Sequence, residues 1–181
     1  MSASGPPVLM LPGYGDSGPE HWQSRWEAAD ASLRRVVQRD WLAPTLAEWR
    51  ETLDRAVTAC DRPPILVAHS LGCALVAHWA RQADRPVAGA LLVAPADTDM
   101  VALVLEAVAS FAPVPLEPLP FPSIVVASSD DPYVTLERAQ IFARVWGSRF
   151  VVIEAAGHIN ADSGYGDWLQ GYRLLDELRG R

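Results

Sequence analysis

Six short, continuously apolar runs separated by stretches of helical periodicity constrain how this 181-residue chain folds. The runs are Val8–Leu11, Arg35–Arg39 (around Val36-Val37), Ile65–Ala68, Val87–Ala94, Ile124–Ala127 and Phe150–Ile153. Continuous rather than alternating apolar residues are typical of strands covered on both faces. Helices are predicted between them, over Glu20–Ala29, Leu46–Ala59, Leu71–Gln82, Thr135–Trp146 and Trp168–Leu178. This order predicts one α/β domain over residues 1–181, with a mostly parallel six-stranded sheet and helices on both faces.

The charge and the cysteine content narrow the functional class. A formal net charge of -7 and a pI near 5.0 argue against a nucleic-acid surface, which needs clustered basic residues. Cys60 and Cys73 form no CxxC motif, which fits a reducing compartment. The N-terminal stretch lacks the positive flank of a signal peptide, and no run approaches the roughly 18 apolar residues of a membrane span. We therefore expect a cytoplasmic protein without a membrane segment.

Ser70 lies in the stretch VAHSLG (67–72), between a predicted strand and a predicted helix. This is the context of a nucleophile elbow, the sharp turn that exposes a catalytic serine. The turn requires small residues two positions before and after the serine, here Ala68 and Gly72. The usual pattern is G-x-S-x-G, so Ala68 is a departure of one methyl group. The first N–H groups of the following helix favour a developing oxyanion.

A nucleophilic serine needs a base, and the chain has four histidines. His158 follows the last predicted strand in a glycine-preceded loop, where the carboxyl ends of parallel strands place catalytic groups. His69 adjoins the serine and leaves the elbow in another direction, and His78 lies two helical turns away. His21 is in the loop after the first strand and is a candidate for a pocket wall. His158 is the predicted base, with a surface histidine as the alternative.

In a catalytic triad whose members follow the chain order Ser…Asp…His, the acid should lie between Ser70 and His158. Asp131 is the candidate, because the Asp-Pro turn that it begins follows the fifth predicted strand directly. Asp130 is the adjacent alternative. Asp97 and Asp99, one strand earlier, form a second alternative that rests on chain order alone.

The glycine-rich loop after the first strand, LPGYGDSGPEHW, is predicted to complete an oxyanion hole. The backbone N–H groups of Leu71 and Tyr14 are the candidate donors. The residues expected in the substrate pocket are Gly13, Gly15, His21, Trp22 and His69. Trp22, Trp26 and Trp49 are candidates for a pocket wall, and the favoured alternative for each is the generic packing of a large aromatic side chain in the core.

The interval Pro95–Ser123 between the fourth and fifth strands has no room for a lid domain. Met100–Phe111 within it is almost wholly apolar, so we expect a buried helix, or alternatively a helix edge lining an acyl pocket. Ala112–Pro122 holds five prolines and is expected to be an extended surface connection.

Several motifs together resemble the retinoblastoma-binding-protein-9-like small serine hydrolases of the α/β-hydrolase superfamily. They are LPGYGDSGPEHWQ (11–23), VAHSLG (67–72), LLVAPAD (91–97), VASSDDPYV (126–134) and AAGHINADSGYGDW (155–168). The resemblance implies a minimal α/β-hydrolase without a lid, a triad matching Ser70, Asp131 and His158, and activity on small acyl esters. Binding to a pocket protein is not implied, because the L-x-C-x-E segment is missing: LGCAL (71–75) has Leu75 in the place of the glutamate.

We therefore expect a serine hydrolase that cleaves esters, thioesters or amides of small acyl groups through an acyl-enzyme. It would need no cofactor or metal, and it would bind no nucleic acid or membrane. As an assembly it would be a monomer or a weak homo-oligomer. The alternatives are a catalytically weak binding protein on the same fold and an acyltransferase.

Overall fold

The computed structural model describes residues 5–180, so the first four residues of the N-terminal stretch, and the prediction made for them, lie outside it. The strands are β1 (Val8–Leu11), β2 (Leu33–Arg35), β3 (Ile65–His69), β4 (Gly89–Val93), β5 (Ser123–Ser128) and β6 (Arg149–Ile153). The helices are α1 (Trp22–Ala29), α2 (Leu46–Thr58), α3 (Leu71–Ala80), α4 (Thr98–Val101), α5 (Leu136–Trp146) and α6 (Leu169–Leu178), with a 3₁₀ helix over Glu106–Phe111.

The six strands form one sheet in the order β2-β1-β3-β4-β5-β6, and every pairing is parallel. Side chains alternate between two apolar layers: Leu66 and Ala68 pack with α2, α3 and α5, whereas Ile65 and Val67 pack with α1 and α6. Because both faces are covered, the central strands β3, β4 and β5 are buried at every position and apolar along their interior, as their sequence indicates. The predicted α/β-hydrolase fold is confirmed.

The second strand differs from its prediction. It spans Leu33–Arg35 instead of residues 35–39, and Val37 is 67% exposed. The strand lies at the edge of the sheet and pairs with β1 alone. Leu33 supplies its buried side chain, and the Val36 N–H donates to the Met10 carbonyl as the pairing ends. The apolar Val36-Val37 pair therefore marks the end of the strand and not its centre.

The prediction of a buried helix over Met100–Phe111 is wrong. The segment forms the end of α4, a turn and the 3₁₀ helix, and Leu103 and Val104 in the turn are 83% and 88% exposed. Val108 and Phe111 are the buried anchors of this segment. Ala112–Pro122, as predicted, holds no helix or strand, although Val114 and Phe121 within it are buried. No separate cap domain is formed between β4 and β5, whose connection is fully described.

Candidate active site

The turn between β3 and α3 places Ser70 in a strained conformation, with φ 54° and ψ −118°. A non-glycine residue adopts this backbone only where the surroundings hold it there, as at a nucleophile elbow. Gly72 shows why a small residue is required two positions after the serine. A Cβ on it would lie 2.4 Å from the carbonyl oxygen of Leu11. Ala68 is fully buried at the end of β3, so its extra methyl group is accommodated.

Ser70, His158 and Asp131 lie in one hydrogen-bonded row. Ser70 Oγ is 2.9 Å from His158 Nε2, and His158 Nδ1 is 2.9 Å from each carboxylate oxygen of Asp131. The Asp131 side chain has no exposed surface, and its Oδ1 also accepts a bond from the Tyr133 N–H at 2.9 Å. The carboxylate therefore fixes the orientation of the imidazole, with the Nε2 edge facing the serine.

The loop that carries His158 is held in place by contacts that sequence analysis did not identify. His69 Nε2 donates to the His158 carbonyl oxygen at 2.9 Å, and Ser163 Oγ accepts from the His158 N–H at 3.2 Å. Ala155 and Ile159 have positive φ angles, 49° and 46°, so the loop departs from ordinary backbone on both sides of the histidine. The contact with His69, which joins residues 89 positions apart, leaves no mark in a local sequence pattern.

The carboxylates of the alternative acids do not contact the His158 ring. Asp130 Oδ1 accepts from the Gly157 N–H at 2.7 Å and from Ser128 Oγ at 2.7 Å. These bonds, that of Ser128 first, lower the pKa of the Asp130 carboxyl. Asp97 and Asp99 both pair with Arg138 on α5. Asp131 is thus the one carboxylate of the four that contacts the His158 ring.

The loop after β1 packs directly on the elbow. A Cβ on Gly13 would lie 2.9 Å from Ser70 Cβ and 3.2 Å from the Leu71 nitrogen, so a side chain there would clash with the elbow. Leu71 is the first residue of α3, and its N–H has no acceptor within the helix. The geometry brings Tyr14, the next residue of the loop, to the same cavity as Leu71.

A cavity of about 290 Å³ opens beside Ser70. Of the predicted pocket residues, Gly13, His21 and His69 line it, but Gly15 and Trp22 do not; Tyr14, predicted as an oxyanion donor, lines it as well. The Gly15 N–H donates to the Trp41 carbonyl oxygen instead. Trp22 is fully buried, and its Nε1 donates to the Ile159 carbonyl oxygen. Trp22 therefore supports the His158 loop from within the core.

The apolar part of the cavity wall comes from Leu71, Ala96, Val101, Leu105 and Val108. Three of these belong to the Met100–Phe111 segment, so the alternative interpretation of that segment, as the edge of a pocket, agrees with its position. The polar part includes Tyr14, Asp16, His21, His69, Thr98, Tyr133 and Asn160. Trp26 and Trp49 are buried in the two apolar layers and do not reach the cavity.

Burial controls the protonation of two histidines beside the site. It lowers the pKa of His69 well below its usual value and lowers the pKa of His21 to about 4, with the charges of Arg35 and His158 adding to the effect at His21. Both rings are therefore neutral at pH 7. Burial also raises the pKa of the Cys73 thiol, whose Sγ donates to the Val93 carbonyl oxygen; it is a packed thiol and not a reactive one.

A model of the serine hydrolase family matches residues 8–177. The chain belongs to the serine hydrolase family. It is similar to the crystal structure of a YdeN-like hydrolase from Pectobacterium atrosepticum, with 35% identity, a TM-score of 0.85, and coverage of 96% of this chain and 90% of that one. The protein is accordingly a serine hydrolase enzyme.

More distant structures share the fold of this serine hydrolase. The ydeN gene product of B. subtilis is 21% identical with a TM-score of 0.76, covering 96% of this chain and 98% of that one. A thermophilic esterase from Thermogutta terrifontis is 18% identical with a TM-score of 0.71, covering 98% and 92%. The comparison with curated proteins finds no match. The narrower resemblance to the retinoblastoma-binding-protein-9-like hydrolases stays a prediction.

Within residues 5–180, no group of three or more His, Cys, Asp or Glu side chains is arranged to hold a metal ion. Over the same range, none of the helices has the length and apolar character needed to cross a bilayer.

Proposed function

We propose that this serine hydrolase cleaves small acyl esters, with Ser70 as nucleophile, His158 as general base and acid, and Asp131 as the group that orients the histidine. The observation that carries the proposal is the row of 2.9 Å contacts from Ser70 Oγ through the imidazole to Asp131. Each member is within hydrogen-bond reach of the next, as general-base activation of a serine requires.

In the proposed first step Ser70 Oγ attacks the acyl carbon while its proton moves to His158 Nε2. The imidazolium then gives that proton to the leaving alcohol, and the acyl group remains on Ser70 as an ester. In the second step His158 takes a proton from water, the hydroxide attacks the acyl-enzyme, and the carboxylic acid leaves as Ser70 regains its proton. Asp131 stabilises the imidazolium and does not take its proton.

The N–H groups of Leu71 and Tyr14 are the proposed donors to the oxyanion of each tetrahedral intermediate. The N-terminus of α3 lies at Ser70, so its positive end favours negative charge at this point. The close packing of Gly13 on the elbow supports this assignment, because it brings the loop after β1 against the nitrogen of Leu71.

The cavity limits the size of the substrate. At about 290 Å³ it lies at the lower end of the ~300–1,000 Å³ typical of small-molecule sites. We assign the acyl chain to the apolar wall formed by Val101, Leu105 and Val108. A short acyl chain is long enough to cover such a wall, and each CH₂ buried against it contributes about 0.8 kcal/mol to binding.

The proposal is tested by hydrolysis of p-nitrophenyl butyrate by Ser70→Ala and His158→Ala. We expect each variant to lose roughly 10³-fold or more in kcat, because removal of a triad member disables the whole unit. Ser148→Ala is the matched control: its hydroxyl bonds Ser123 where β5 and β6 begin, away from the cavity. Retention of most of the kcat by either variant, with the fold intact, would overturn the assignment.

A further inference from the structure

His21 caps α1 and forms part of the polar cavity wall, and its hydrogen bonds define its tautomer. Its Nδ1 accepts a bond from the Gln23 N–H at 3.1 Å, so Nδ1 carries no proton. The ring is 5% exposed and neutral at pH 7, with its pKa lowered to about 4 mainly by burial. A neutral imidazole with an unprotonated Nδ1 has its proton on Nε2. His21 is therefore a fixed hydrogen-bond donor.

That donor has no acceptor in the protein. Nε2 is buried and makes no hydrogen bond with any residue of the described chain. Leaving a buried N–H unpaired is costly, and native structures satisfy nearly all such groups. In a ligand cavity a polar group of this kind serves to orient the ligand.

The position of His21 indicates which part of a substrate it meets. Its ring centroid is 4.7 Å from that of His69, which is 4.8 Å from that of His158. His158 Nε2 must reach the leaving oxygen to protonate it, so the alcohol portion passes along this side of the cavity. The apolar wall, which suits the acyl chain, comes from the separate segment around Val101 and Leu105.

We propose that His21 is a specificity-determining residue that donates a hydrogen bond from Nε2 to an oxygen in the alcohol portion of the ester. The preferred substrates are then esters of hydroxylated or alkoxylated alcohols. A donor selects acceptors, so alcohols bearing ammonium groups, which only donate, are disfavoured. The assignment of the alcohol side rests on the proposed function of Ser70 and His158.

The test compares three butyrate esters of equal length. The n-butyl ester has no oxygen beyond the ester group, the 2-methoxyethyl ester has one within the chain, and the 3-hydroxypropyl ester has one at its end. The variant is His21→Asn, because asparagine is a good helix N-cap and keeps an acceptor for Gln23 while removing Nε2. His78→Asn is the matched control, since His78 bonds the Phe111 carbonyl oxygen and does not line the cavity.

We expect the wild-type protein to favour at least one oxygenated ester over the butyl ester in kcat/KM. In His21→Asn the kcat/KM of that oxygenated ester falls about tenfold more than the kcat/KM of the butyl ester. His78→Asn leaves the preference unchanged. An unchanged preference in folded His21→Asn, or an equal loss on all three esters, would overturn the proposal.

A second measurement separates this proposal from that of the catalytic residues. The dissociation constants of the three esters are measured by NMR titration on Ser70→Ala and on Ser70→Ala with His21→Asn. A tenfold loss of preference there supports the role of His21, and an equal preference in both proteins refutes it. This result does not depend on turnover, whereas undiminished hydrolysis by Ser70→Ala would refute the function proposed for Ser70.

Discussion

Asp130 and Asp131 are neighbours in the chain, but their carboxylates bind different parts of the loop that carries His158. Asp131 contacts the imidazole at 2.9 Å, and Asp130 accepts from the backbone N–H of Gly157 at 2.7 Å. One carboxylate orients the ring and the other holds the turn before it. The two residues that sequence analysis offered as alternatives therefore have distinct roles at one site.

This division predicts unequal effects of two matched substitutions. Asp131→Asn should lower kcat by about 10³-fold or more, because the amide no longer stabilises the imidazolium or fixes the tautomer. Asp130→Asn should lower it less than tenfold, since an amide oxygen still accepts from Gly157. Steady-state kinetics on one ester measures both. Equal losses would contradict the assignment of Asp131, and so would a larger loss at Asp97→Asn.

Gly72→Ala should disrupt the elbow. Its Cβ would meet the Leu11 carbonyl oxygen at 2.4 Å, and backbone on both sides must shift to admit it. We expect a loss of about 1–3 kcal/mol in unfolding free energy by urea denaturation, together with reduced activity. Gly18→Ala is the control, because a Cβ at Gly18 meets no atom within 4 Å. Equal stability of the two variants would show that the elbow is not close-packed.

The buried neutral histidines make stability depend on pH. The pKa of His21 is about 4 in the folded protein and near 6.5 when unfolded, so between these values the unfolded chain binds more protons. The unfolding free energy should therefore fall as pH falls from 6.5 towards 4. His21 contributes up to about 3 kcal/mol of that loss, at 1.36 kcal/mol per pKa unit.

Urea unfolding of wild-type protein and His21→Asn across this pH range isolates that contribution. The asparagine variant lacks the titrating ring, so its stability should decline less steeply on acidification. His69, whose pKa is also lowered, accounts for part of the remaining decline. Parallel curves for the two proteins would mean that His21 titrates at its ordinary pKa in the folded state.

The size of the cavity predicts a preference for short acyl chains. Across p-nitrophenyl esters from acetate to palmitate, kcat/KM should be highest for short chains, because the described connection between β4 and β5 provides no cap over a long one. Leu105→Trp should shift the optimum towards acetate, since Leu105 lines the cavity. Leu103→Trp should leave it unchanged, since Leu103 projects into solvent. A steady rise to palmitate would reveal an acyl tunnel.

Local sequence patterns were sufficient to predict the central strands of the sheet and the turn that carries Ser70. The runs around Ile65 and Ile124 are apolar at every position because each strand is covered by helices on both faces. The strand–serine–helix order likewise indicated the elbow, and chain order indicated that Asp131 and His158 would lie at the same sheet edge. The structure brings these three side chains together.

Features that depend on contacts between distant residues were not predictable. The bond from His69 to the His158 carbonyl oxygen joins residues 89 positions apart. The Met100–Phe111 segment has the composition of a buried helix, but its apolar residues are divided between the cavity wall, two core anchors and solvent. The edge strand β2 pairs on one side only, so its pattern is set by Leu33 and not by the more apolar Val36-Val37 pair.

The central claim is that Ser70 is the activated nucleophile of this enzyme, and covalent labelling tests it most directly. A fluorophosphonate probe is incubated with wild-type protein, Ser70→Ala and His158→Ala, and the adduct is located by peptide mass spectrometry. We predict one adduct on the wild-type protein, at Ser70, with none on Ser70→Ala and far slower labelling of His158→Ala. An adduct on another residue, or an unlabelled wild-type protein that is fully folded, would contradict the account.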